Sequence, residues 1–116
     1  MTTPSDKPVF TFTVNVSDAT DPPTVTTVPA EITVGTSNGL IEFDLATPGY
    51  SFEPVAPIVF SEPTTDFPDL WAVSATQVFM RDRCSKAATL NFTIHVVEDS
   101  SGRCLSHDPI ITNQPD

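Results

Sequence analysis

Cys84 lies in the run Arg81-Asp82-Arg83-Cys84-Ser85-Lys86, between two cationic side chains. Neighbouring cations favour the thiolate, the form of cysteine that attacks electrophiles and senses oxidants. A redox-responsive protein using Cys84 is therefore one chemistry this chain offers. Asp82 works against it, and no histidine is adjacent in sequence to act as a base. His95 or His107 would have to be brought near by the fold. The plainer reading is a small side chain in a turn among solvated charges.

Two loop carboxylate pairs, Asp18-x-x-Asp21 and Asp66-x-x-Asp69, suggest a second chemistry. Hard oxygen ligands on loops suit Ca²⁺, which takes six to eight of them. Each pair alone supplies too few, and neither matches the EF-hand pattern. If the strands alternate in direction, the two pairs fall at opposite ends of the molecule and cannot share an ion. Cys84, His95, Cys104 and His107 lack the close ligand spacing of a zinc site. His95 falls on the outward face of its strand with Asn91 and Thr93, and His107 beside Asp108 is a weak sign of general-base chemistry. There is no G-x-S-x-G elbow and no glycine-rich phosphate loop. No enzyme and no cofactor is expected from these residues.

Charge is the most uneven property of the chain. Between Lys7 and Arg81 there is no Lys, Arg or His, but there are nine carboxylates, and the net charge is −10. Such a body repels nucleic acid and anionic membranes. It also stays soluble and resists edge-to-edge association. The exception is the basic loop, where Arg81, Arg83 and Lys86 form a candidate binding surface for an acidic partner or a second copy. Strand counting puts that loop at the same end as Asp18 and Asp21, so pairing within the chain is the competing expectation, worth little in an exposed site. Head-to-tail contact between a basic loop and an acidic body would be heterologous and would build rings or filaments.

The elements that must position these residues are strands. Residues 9–16 alternate, with Phe10, Phe12, Val14 and Val16 on one face. Residues 24–34 are rich in Thr and Val and are interrupted by Pro29, which implies an edge, a bulge or a break into two strands. Asn38-Gly39 favours a turn with positive φ, and so a hairpin. In 40–45, Ile41, Phe43 and Leu45 point inward. Residues 55–60 read as a short edge strand carrying Pro57. Residues 70–80 read as one strand with Trp71, Val73, Ala75 and Phe79 on one face. Residues 87–98 follow, with Leu90, Phe92, Ile94 and Val96 inward, and 105–112 form a last strand interrupted by Pro109.

About seven short strands, no amphipathic helix and twelve prolines predict an all-β fold. The architecture expected is an immunoglobulin-like antiparallel β-sandwich. Trp71 precedes both cysteines, so the Cys…Trp…Cys order of antibody domains is missing. At 116 residues the chain fits a single domain over 1–116, with 1–8 as a flexible N-terminal arm. That arm is polar and has no apolar h-region, and no run approaches the ~20 apolar residues of a membrane span. A cytoplasmic location is expected. Cys84 and Cys104 fall at opposite ends of a strand that spans roughly 33 Å, too far for a disulfide, which agrees with a reducing compartment. Asn15-Val16-Ser17 and Asn91-Phe92-Thr93 match glycosylation acceptors and are read as chance.

Asp21-Pro22, Glu53-Pro54, Glu62-Pro63 and Asp108-Pro109 punctuate the chain. In these dipeptides, and in length and acidity, it resembles the DP-EP family of small bacterial proteins of unknown function. The resemblance implies a small β-rich domain and carries over no catalytic residues. Each pair also has a local role, since the residue before a proline is held extended. The reading that follows is a binding or assembly module without catalytic activity. It would contact a protein partner or a second copy through loops or a sheet face, since prolines interrupt its edge strands.

Overall fold

A computed structural model of the chain describes residues 9–36, 38–62, 66–67 and 69–114. The N-terminal arm expected over 1–8 lies outside the described residues. Among them there is no helix, and eleven strands are formed: β1 (Val9–Ser17), β2 (Thr24–Val28), β3 (Glu31–Val34), β4 (Gly39–Leu45), β5 (Tyr50–Phe52), β6 (Ile58–Phe60), β7 (Leu70–Ser74), β8 (Gln77–Asp82), β9 (Ala88–Glu98), β10 (Cys104–His107) and β11 (Ile110–Asn113). The count exceeds the expected seven because three predicted strands are broken and because β5 forms at Tyr50–Phe52, in a segment read as loop. Prolines interrupt 24–34 and 105–112, and a turn divides 70–80.

One sheet has the order β2-β1-β4-β8-β7. The other is built on β9, which pairs β10 and β11 along one edge and β5 and β6 along the other, with β3 outside β11. The expected purely antiparallel arrangement is corrected at two places, because β1 runs parallel to β4 and β3 parallel to β11. Both follow from the break at Pro29. A proline cannot donate to a ladder, so the chain leaves the first sheet after β2 and enters the second as β3. The Asn38-Gly39 turn then carries it back to β4. Asn38 does take a positive φ of 59°, but the turn joins two sheets and is not the hairpin expected from its sequence.

The inward faces meet in one apolar core. Phe12 of β1, Phe43 of β4 and Phe92 of β9 are at most 1% exposed. Phe12 and Phe43 stack with centroids 5.4 Å apart, and Phe92 meets both edge-on at 5.9 and 5.8 Å. Offset and edge-on contacts suit the ring quadrupoles, so this triad clasps the two sheets. The predicted inward sets of β1, β4 and β9 hold at Phe12, Val14, Val16, Ile41, Phe43, Leu45, Phe92, Ile94 and Val96. Phe10 and Leu90 are only half-buried.

Residues 70–80 form a hairpin instead of one strand. Thr76 N–H donates to Ser74 Oγ at 3.2 Å, closing a turn that contains no Gly, Pro or Asn. The inward residues of β8 are Val78, Met80 and Asp82. Trp71 and Phe79, expected inside, stack at 5.8 Å on the outer face, because their cross-strand register sets them opposite the buried set. The extra reversal also moves the next loop. Asp82 pairs Gly39 at the end of the sandwich that holds Val34 and Asn113, here the lower end. Ser17, Leu45 and Glu98 lie at the upper end.

Candidate functional site

The basic loop therefore sits at the lower end, opposite Asp18 and Asp21, which corrects the placement by strand counting. Asp21 instead meets Arg103, at 3.0 Å. Arg81 is half-buried, with Nε 3.9 Å from Asp69 Oδ2. Arg83 and Lys86 are exposed. Asp18 and Asp21 are exposed at the upper end, whereas Asp66 and Asp69 belong to the lower, so the two pairs are kept apart as expected. Among the described residues no group of three or more His, Cys, Asp or Glu side chains is set to hold a metal ion.

Cys84 lies in a turn between the exposed Arg83 and Lys86, as expected, but its own side chain is only 2% exposed. Its thiol donates to Val34 C=O at 3.3 Å, and its backbone has a positive φ of 50°. That conformation turns the Cys84 N–H back to Asp82 Oδ1 at 2.9 Å, an Asx-type turn closed two residues on. A thiol held in this way lacks the solvent access that redox sensing needs. Cys104 is exposed at the upper end, 4.0 Å from His95 Nδ1 through its sulfur.

Around Cys84 the loop covers a buried polar cluster. Asp82 and Asn113 are 0% exposed and Asp66 is 2% exposed. Asn113 Nδ2 bridges the carboxylates, donating to Asp82 Oδ1 at 2.9 Å and to Asp66 Oδ2 at 3.3 Å. Asp66 also accepts from the Ser85 N–H at 3.1 Å and from the Ser85 hydroxyl, and its C=O accepts from Arg83 N–H at 2.7 Å. Asp82 Oδ2 and Asn113 Oδ1 have no hydrogen-bond partner. Burial pushes the Asp82 carboxyl up to about 6, helped by the charge of Asp66 and opposed by the bonds from Cys84 and Asn113. Sequence reading missed both Asp82 and Asn113 as members of a cluster. The signal was there in part, since alternation from Val78 and Met80 carries Asp82 inward, and from Ile111 carries Asn113 inward.

The second feature is the open side of the sandwich. β7 is the free edge of its sheet, and all five of its residues are exposed. None is charged and none is proline. Trp71 is 40% and Val73 59% exposed. Below, Phe67 stacks on Phe60 at 4.5 Å and closes the gap between the sheets. Above, a cleft of about 400 Å³ remains between the two edges, lined mainly by Phe52, Pro54, Pro57, Ala72, Ala75 and Val78. Phe52 N–H donates to Ala75 C=O at 2.8 Å and ties the sheets together beside it. A concave apolar space of this size fits a bound side chain or small ligand.

Fold and surface define an all-β, two-sheet protein with Leu70, Trp71 and Val73 exposed together on one edge strand, while Val9 and Val28 are exposed elsewhere. The sequence matches no protein-family model and no curated protein. No helix among the described residues is long and apolar enough to cross a membrane.

Proposed function

We propose that this protein is a non-catalytic binding or assembly module whose contact surface is the β7 edge and the cleft beside it. One observation carries the reading. An edge strand with exposed Leu70, Trp71 and Val73, and with neither charge nor proline, is what soluble β proteins ordinarily avoid. The other edges are guarded. β5 and β6 are interrupted by Pro54 and Pro57, β2 is bounded by Pro23 and Pro29, β3 is four residues long and begins with Glu31, and β10 is four residues long and is followed by Asp108-Pro109. An immunoglobulin-like architecture for the sandwich belongs to the same proposal. It is supported by the chain length, the two facing sheets and the first-half strand that switches sheets at Pro29. A reducing, cytoplasmic setting fits the separation of Cys84 from Cys104, which lie at opposite ends of β9.

The experiment is affinity capture with three forms of the protein: unmodified, Trp71→Ser with Val73→Ser, and Arg81→Glu with Arg83→Glu. A partner that is lost with the edge variant and kept with the basic-loop variant supports the reading. The reverse pattern moves the contact to the basic loop. Absence of any partner from the unmodified protein removes the module reading.

A further inference from the structure

The geometry of β7 points to the class of partner, and this step rests on the module reading above. Arg81 N–H donates to Asp69 C=O at 3.1 Å. In an antiparallel pair the backbone groups of successive residues face alternate sides. Residues 69 and 71 therefore face β8, and the N–H and C=O groups of Leu70 and Ala72 face away from the sheet. These are the groups that an added strand would pair. The side chains of such a strand alternate, so one set enters the cleft next to Ala72 and the other lies beside Trp71 on the outer face.

Charge selects the occupant. Trp71 presents a ring, backed by Phe79 at 5.8 Å, that favours a cation on its face. The same outer face carries Glu42 and Asp44, held together by Gln77 Nε2 at 2.8 and 3.2 Å. Glu53 borders the cleft. Arg81 is engaged by Asp69. A second copy brings another net −10 to the same place and is repelled over the whole surface. We infer that the β7 edge receives an extended cationic segment of another protein as an added strand, with apolar residues in the cleft and Lys or Arg across Trp71.

The probe is a short capped peptide alternating lysine and valine, titrated against the intact protein. Trp71 is the single tryptophan of the chain, so its fluorescence reports the site. Saturable binding that weakens with added salt is expected, together with slowed amide exchange at Leu70 and Ala72. Methylating the peptide nitrogens that face the edge removes one or two hydrogen bonds and should weaken binding by about tenfold. Ala72→Pro should do the same from the protein side, since its N–H is not used by β8. The peptide modification stands as the test if that variant fails to fold. Equal binding by a glutamate–valine peptide, equal binding by the methylated peptide, or no binding overturns the inference. So does a dimer in native mass spectra that Ala72→Pro dissociates, which would make the occupant a second copy. A captured partner that still depends on Trp71 and Val73 while the peptide fails to bind would leave the module reading standing without this one.

Discussion

Replacing Asp82 with asparagine should abolish an unusual pH dependence of stability. Asp82 is fully buried, and one of its oxygens lacks a partner. Its carboxyl is held at about 6 against an ordinary value of 3.8. A carboxyl whose affinity for its proton is raised by folding stabilises the folded state only while protonated. Its contribution is fully present below about 3.8 and is lost as the pH rises through about 6. The gap of roughly two pH units converts to about 3 kcal/mol. The contribution of this one group therefore falls between pH 4 and neutral pH, opposite in sign to the contributions that cause ordinary acid denaturation. Asp82→Asn keeps the Oδ1 acceptor for Cys84 N–H and Asn113 Nδ2 and carries no charge at any pH. Urea denaturation of both forms at several pH values between about 4 and 7.5 isolates the effect of the cluster, because the carboxylates outside it cancel in the difference. The variant should gain on the unmodified protein by about 2.5 kcal/mol across that range, since part of the contribution is already lost at pH 4. A difference that stays flat from pH 4 to pH 7.5 refutes the argument.

Phe92→Ala should cost about 3–5 kcal/mol in the same denaturation assay, because it removes a ring of the β9 sheet that touches both Phe12 and Phe43; a loss below about 1 kcal/mol would show that the sheets do not depend on this triad. Iodoacetamide should label Cys104 quickly and Cys84 only after unfolding; mass spectrometry with rapid labelling of Cys84 in the native protein would reopen its reading as a reactive thiol.

Much of the layered fold is legible from alternation alone. β1, β4 and β9 are long, and period two fixes their inner faces. Proline marks the breaks at 29 and 109, and Pro57 marks a true edge. The β7–β8 hairpin is where legibility fails. Its turn at Ser74-Ala75-Thr76 has no Gly, Pro, Asn or Asp, and only Ser74, a weaker turn former, announces the reversal. Trp71 and Phe79 share a face in either reading, and the pull of two large apolar side chains suggests the core. Only the pairing of β8 with β4 shows that Val78 and Met80 take that place. The missed reversal then sent the basic loop to the wrong end and hid both the exposed edge and the neighbours of Cys84. Asn113 escaped notice for another reason. An amide on an inward position has meaning only once the opposing carboxylates are known, and these come from loops and strands far away in sequence.

The buried cluster and the exposed edge are parts of one structure. Asp66 stands just before β7 and Asp82 ends β8, so the cluster grips both legs of the hairpin at its base. Asn113 ties the two carboxylates to β11 of the opposite sheet. Arg83 N–H to Asp66 C=O and Arg81 N–H to Asp69 C=O extend the same ladder. An edge strand paired on one side only, with every residue exposed, has little apolar burial of its own to hold it in place. Polar contacts at the base supply that hold without covering the edge. A purely apolar base would stabilise the hairpin as well, but the buried carboxylates and amide accept only one geometry, since a slip in register would strand charges away from their donors. The cost of burying Asp82 falls where it fixes the position of the strand that carries Trp71, and the free backbone groups of Leu70 and Ala72 are presented in a defined register as a result.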